Sequence, residues 1–131
     1  MSPLRESYYI AAYLRRKLPF IAAWDAKATV AWVQWFMRHN RAIALYSHRR
    51  LVGVVLVRLV DDARQAATDY ADTGGKMAYI EVTAARNGAM PALFHSLRAS
   101  FPHTDTMAWV RSKFQNRPCV IPMHRALARF I

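Results

Sequence analysis

Cysteine is almost missing from this chain: Cys119 stands alone among 131 residues, so no intramolecular disulfide can form. No Cys-x-x-Cys or His-x-x-x-His pair is present to begin a zinc site, and no metal is expected. Glycine (4) and proline (6) are scarce and hydrophobic residues reach 54%, which excludes a disordered or low-complexity chain. Long apolar runs are also lacking. The longest uncharged one, Leu51 to Val57, is far too short to span a bilayer, and Arg15-Arg16-Lys17 interrupts the residues that would have to form a secretory h-region. The expected location is the cytoplasm. Acids are few as well, 8 against 19 Lys and Arg, for a net charge of +11, and 15 of the 19 cations are Arg. Forked, planar guanidinium groups suit phosphate and carboxylate, so the expected partners are anionic: an acidic protein, a nucleotide-like molecule or nucleic acid.

What is present reads as one domain with a substantial core. Ser2-Pro3 is a plausible cap and first turn for a helix ending before Pro19, with Leu4, Tyr8, Ala11 and Leu18 on one face. Asp25 can cap a second helix through Arg38, rich in Trp and Phe. Two strand-like runs, Ala42 to Tyr46 and Leu51 to Leu59, are joined by the basic hairpin tip Ser47-His48-Arg49-Arg50. Their uniform apolarity predicts a sheet covered on both faces. Asp61 to Gly75 reads as a polar loop, Met77 to Thr83 as a strand, Met90 to Phe101 as a helix and Thr106 to Arg111 as a strand. A basic loop, Ser112 to Pro118, then leads to an extended piece and a last helix between Cys119 and Ile131. The expectation is a single α+β domain over residues 1–131: a helical part at 1–40, a core at 42–117 and a C-terminal segment at 119–131.

The most informative stretch is Tyr79-Ile80-Glu81-Val82-Thr83-Ala84-Ala85-Arg86-Asn87-Gly88-Ala89-Met90-Pro91, a strand that breaks in small residues and restarts as a helix. Such a break exposes backbone N–H groups at the positive end of a helix dipole, and Arg86 adds charge. Asn87-Gly88 is also a favourable turn pair and Pro91 a favourable first-turn residue, which would account for the composition without a ligand.

The arrangement of Arg50-Leu51-Val52-Gly53-Val54, a polar loop, a strand and then Arg86-Asn87-Gly88-Ala89-Met90-Pro91-Ala92 resembles the core of the GNAT acyltransferase superfamily. There this turn holds the pyrophosphate of coenzyme A and the preceding strand lies beside the pantetheine. Ala89 stands where a glycine is usual, and the turn is about one residue short. A second resemblance, over about residues 42 to 117, is to the toxin-activating lysine acyltransferases. It rests on Tyr79-Ile80-Glu81-Val82, Asn87-Gly88-Ala89, Phe101-Pro102 and Trp109-Val110-Arg111-Ser112-Lys113. That family takes a fatty acyl group from acyl carrier protein, an acidic partner, and passes it to a lysine.

These resemblances imply a GNAT-like, mixed and mostly antiparallel sheet flanked by helices, and an acyl donor carried as a coenzyme A or acyl carrier protein thioester. They place Val82, Thr83, Arg86, Asn87, Gly88 and Ala89 at the donor and Glu81 in the position of a catalytic acid. That family's histidine follows Ser-Pro-Leu; here Ser2-Pro3-Leu4 is followed by Arg5, leaving His39 and His48 as candidates. An acid in an apolar strand needs a partner, so the alternative for Glu81 is a buried ion pair with Arg58 or Arg111. Arg49, Arg50, Arg111, Lys113 and Arg117 form the expected basic surface.

Acyl transfer to an amine predicts that the strands around residues 82 and 107 splay into a V-shaped cleft open to Arg86. The rival readings are a non-catalytic GNAT-like protein of a phage or mobile element, acting as a structural or binding module in an infected host or a virion, and a basic nucleic-acid-binding domain. The structural reading predicts an exposed apolar patch that includes Trp24 or Trp35 and leaves oligomerisation open.

Overall fold

The computed structural model describes residues 2–68, 72–110 and 118–128. Helix α1 (Pro3–Lys17) begins as its sequence requires, with the Ser2 hydroxyl accepting from the Arg5 amide at 3.2 Å and Pro3 in the first turn. Its buried face keeps Ala11 and, in part, Leu18 of the expected one but not Leu4 or Tyr8. Ser7, Ile10, Ala11, Tyr13 and Leu14 turn inward, whereas Leu4 and Tyr8 are 57% and 58% exposed. Two apolar stripes compete for the core, and the one carrying Ile10 and Leu14 wins. Ser7 can join it because its hydroxyl donates to the Leu4 carbonyl at 2.6 Å and accepts from the Gln34 amide at 3.4 Å.

A short helix that the sequence reading lacked, α2 (Pro19–Ala22), follows, and the Arg15 guanidinium fixes it by donating to the carbonyls of Ala22 and Trp24. Helix α3 (Ala26–Arg38) starts on the Asp25 carboxylate, which accepts from the Ala28 amide at 2.9 Å. It ends on Asn40 at φ 56°, where the amides of Asn40 and Arg41 donate back to Met37 and Phe36.

Strands β1 (Ala42–Ser47) and β2 (Arg50–Val60) form the expected hairpin. Its two central residues, His48 and Arg49, both occupy left-handed backbone, at φ 52° and 66°. A two-residue turn of this hand matches the twist of its strands, but the residues that adopt it freely are Asn and Gly.

The segment read as a loop contains a helix, α4 (Ala63–Thr68). Asp62 caps it by accepting from the Arg64 amide, and Ala63 and Ala66 pack on Val60 and Tyr79. Two small residues carried too faint a period to reveal it. Asp72, near the end of that segment, accepts from Arg41 at 2.6 and 3.2 Å and from the amides of Leu59 and Gly74, stapling the chain to the sheet. Burial pushes the Asp72 carboxyl up, but the Arg41 guanidinium and the two amides outweigh it and hold it below its ordinary value.

Strand β3 (Met77–Ala85), helix α5 (Met90–Ser100), strands β4 (Thr106–Val110) and β5 (Pro118–Pro122) and helix α6 (Met123–Ala128) complete the described chain. The five strands lie in sequence order in one open sheet that is antiparallel except for the β3–β4 pair. This is an α+β architecture. Strand β2 is buried on both sides, as its composition demanded: Val55, Val57 and Leu59 face α5 and α6, while Val54 and Leu56 face α1 and α3. No helix of the described residues is long and apolar enough to cross a membrane.

The hairpin tip stores local strain. Replacing His48 by Asn and Arg49 by Gly should raise the unfolding free energy by about 1 kcal/mol, measured by urea denaturation; a fall would show that the two side chains themselves hold the turn.

Candidate functional site

Two irregularities in β3 create the site. The first is a β-bulge. Leu56 of β2 pairs with Val82 and Val57 with Ile80, so Glu81 is an extra residue in the ladder. Regular alternation would put residues 78, 80, 82 and 84 on one face. Instead Ala78 and Ile80 pack toward α5, and Val82 and Ala84 toward α1 and α3. By the same inversion Thr83 shares the α5 side with Ala85.

The second irregularity is a divergence. Among the described residues β3 and β4 pair over Met77, Ala78 and Tyr79 against Thr106, Met107 and Ala108, although β3 continues to Ala85. Meanwhile β4 stays paired to β5 along its whole length. Beyond Tyr79 the described ends of the two strands are no longer paired, and a cavity of about 340 Å³ lies between Ile80–Thr83 and Trp109–Val110. Residues Ile80 to Thr83 run along it, Met107, Trp109 and Val110 line the β4 side, Met90 and Phe94 come from α5, and Ile121 and Ala126 close it. The walls are apolar apart from Glu81, Thr83, whose Oγ1 is buried without a hydrogen-bond partner among the described residues, and the backbone of the open strand.

The sequence-predicted residues separate into two groups. Val82, Thr83, Arg86, Asn87, Gly88 and Ala89 are brought together along one wall of the cleft and at the turn into α5, whose first residue, Met90, already lines it. The turn is partly self-satisfied, since the Arg86 amide donates to the Val52 carbonyl at 3.0 Å and the Ala89 amide to Arg86 at 3.1 Å. Pro91 has no N–H to offer, which leaves Asn87, Gly88 and Met90 as the backbone donors of this corner. Gly88 has φ 87°, and the space where a Cβ would stand is open.

The proposed catalytic set is not assembled. Glu81 accepts at Oε2 from Nε and Nη2 of Arg58, both at 2.9 Å. Arg58 is 2% exposed, gives a further hydrogen bond to the Ala66 carbonyl at 2.7 Å and lies 4.9 Å from the Tyr79 ring centre. Glu81 is thus the counter-charge of a buried guanidinium on the α4 side of the sheet. Burial first, and then the Glu81 carboxylate, raise the Tyr79 phenol above its ordinary value. His39 ends α3, stacked on Trp35 with its Nδ1 2.7 Å from the Trp35 carbonyl, and β2 separates its neighbour β1 from β3. His48 lies at the hairpin tip; Arg50 and Leu56 are six positions apart on β2, so the tip stands roughly 20 Å from the bulge at 3.3 Å per residue.

The hairpin tip is instead close to the α5 turn, because Val52, two residues from Arg50, accepts from Arg86. Arg49 and Arg50 are exposed at the strand end that lies beside this turn rather than beside Glu81, while Arg111, Lys113 and Arg117 lie outside the described residues. Comparison with protein-family models and with curated proteins returned no match.

One site residue escaped sequence reading altogether. Tyr13 of α1 is 3% exposed, its hydroxyl has no hydrogen-bond partner among the described residues, and it approaches the backbone of Arg86. Arg16 and Lys17 flank its ring, at 5.5 and 5.7 Å from the centre. Burial pushes its phenol up, against the pull of Arg16 and Arg86, so at neutral pH it is a hydrogen-bond donor. Among the described residues no cluster of three His, Cys, Asp or Glu side chains could hold a metal ion.

The pair at the bulge is testable. Glu81→Leu alone should cost about 3 kcal/mol in urea unfolding by stranding Arg58, whereas Arg58→Met with Glu81→Leu should return to within about 1 kcal/mol of the parent. A cost below 1 kcal/mol for the single change would show that the pair is not structural.

Proposed function

We propose that the β3–β4 cleft binds an acyl thioester and that the protein transfers the acyl group to an amine, as a GNAT-like acyltransferase. The observation that carries this reading is the divergence of β3 from β4, which sets an apolar cavity of about 340 Å³ directly against the basic turn of α5. A thioester donor has both matching parts: an apolar acyl chain and an anionic carrier, either coenzyme A or an acidic carrier protein.

The acyl chain would lie among Phe94, Met107, Trp109 and Ile121. The unpaired edge of β3 would meet the amide-bearing arm as an added strand would. Arg86, the amides of Asn87 and Gly88 and the positive end of α5 would receive the phosphate of the carrier, with Arg49 and Arg50 strengthening the field around it. Thr83 would donate its free hydroxyl to the thioester oxygen as charge develops there. The amine nitrogen attacks the carbonyl carbon, a C–N bond forms, the C–S bond breaks, and the departing thiolate takes up the proton the nitrogen sheds through solvent. Glu81 enters indirectly, by fixing the bulge that aims Thr83.

One observation favours a second reading, a binding module without chemistry: the carboxylate in the catalytic position is already engaged by Arg58, and both candidate histidines lie elsewhere. Octanoyl-coenzyme A and octanoyl acyl carrier protein separate the readings. With either donor in hundredfold excess over its Kd, the melting curve should shift by the equivalent of about 2.7 kcal/mol. Free thiol should then appear when a lysine peptide is added, and Thr83→Val should slow that release roughly 100-fold while changing affinity little. Stabilisation without thiol release would establish the binding module, and absence of stabilisation by both donors would remove the thioester reading.

A further inference from the structure

The face of α1 that lost the competition for the core is largely uncovered among the described residues. Leu4, Tyr8 and Tyr9 are 57%, 58% and 51% exposed on it, and Phe20 and Trp24, just after α1, are 58% and 40% exposed. Leu4 and Tyr8 share one flank of α1, and Phe20 and Trp24 pack on each other beyond its C-terminal end. Leu4, Tyr8 and Arg15 follow one another down one flank of the helix, and Arg15 grips the carbonyls of Ala22 and Trp24, so the aromatic pair sits at the lower end of the same strip.

The strip is rigid as well as exposed. Phe20 meets Trp24 edge-on at 6.1 Å, Trp24 meets Trp32 at 5.0 Å, and Trp32 meets the fully buried Phe36 at 5.5 Å. An exposed aromatic anchored through such a ladder cannot fold back to hide its surface.

Its charge is one-sided. The first 50 residues hold nine Lys and Arg against two acids, and both acids are engaged: Glu6 accepts from the Tyr46 hydroxyl at 2.6 Å and Asp25 caps α3. Arg5 and Lys27 are exposed on the same N-terminal helical part, as are Arg16 and Lys17 beside Tyr13.

Protruding Tyr, Trp, Phe and Leu on a convex helix, ringed by cations with long stems, have the composition of a surface that sits in a headgroup layer. An acidic protein would more naturally require a groove for its own apolar anchors. We propose that the outer face of α1, with Phe20 and Trp24, docks this protein peripherally on an anionic lipid bilayer. This inference rests on the surface alone and is independent of the cleft's ligand.

Vesicle co-sedimentation tests it directly. In 0.1 M salt the full chain should sediment with vesicles of 70% phosphatidylcholine and 30% phosphatidylglycerol and remain in solution with pure phosphatidylcholine. Tyr8→Ser with Phe20→Ser should weaken the partition coefficient about tenfold through lost insertion. Arg5→Gln with Lys27→Gln should weaken it roughly 20-fold through lost charge. Unchanged melting temperatures would certify that the variants fold, and Trp24→Phe should diminish the blue shift of tryptophan emission seen on the anionic vesicles. Failure to sediment with anionic vesicles would overturn the proposal, as would binding that is indifferent to the Tyr8 and Phe20 changes. Capture by poly-glutamate or single-stranded DNA in the absence of vesicle binding would assign the charge to a protein or nucleic-acid partner instead.

Discussion

The ion pair between Arg58 and Glu81 is the constraint from which the site follows. A guanidinium at 2% exposure in the middle of an apolar sheet requires a counter-charge within hydrogen-bonding reach, and the neighbouring strand supplies one from an extra residue. That residue inverts the alternation of β3. Before it, even-numbered side chains face α5; after it, they face α1 and α3. The inversion puts Thr83 into the cleft and keeps Val82 and Ala84 in the second core. A bulge also increases local twist, and here it sits where β3 leaves β4.

The cleft then acquires its polarity from position rather than from a dedicated motif. Its interior is built from the C-terminal half of β3, the open end of β4, α5 and the residues that close it beyond β5. Next to it is the turn into α5, where Tyr13 from α1 and Val52 from β2 approach the backbone of Arg86. Apolar depth beside a basic mouth is what an acyl group on an anionic carrier would need. The same molecule offers a second anion-seeking surface on the outside of α1, where aromatics replace the apolar cavity. Both draw on the same excess of positive charge.

Much of the fold was legible from local signals, since caps and turn residues act at short range. Ser2, Asp25 and Pro91 marked helix starts, and the run Leu51 to Leu59 announced a strand covered on both faces. What escaped depended on tertiary competition. Leu4 and Tyr8 formed a credible stripe, but the adjacent stripe through Ile10 and Leu14 took the core. Helix α4 rests on two alanines that acquire meaning only against Tyr79. The site divided in the same way: the turn residues from Arg86 to Ala89 are contiguous in sequence and stay together in space, whereas the pairing of Glu81 with a histidine depended on strand order and bulge position. Of the two partners that burial demanded for Glu81, Arg58 is the one that the antiparallel register brings across.

Six methionines report on the central claim, because Met90 and Met107 line the cleft while Met37 lies on the far side of the molecule between α1 and α3. Titrating the methyl-¹³C-methionine protein with octanoyl-coenzyme A should move the Met90 and Met107 resonances in a saturable, concerted way and leave Met37 in place. Shifts confined to Met37, or a spectrum indifferent to the thioester, would contradict the assignment of the β3–β4 cleft as the acyl site.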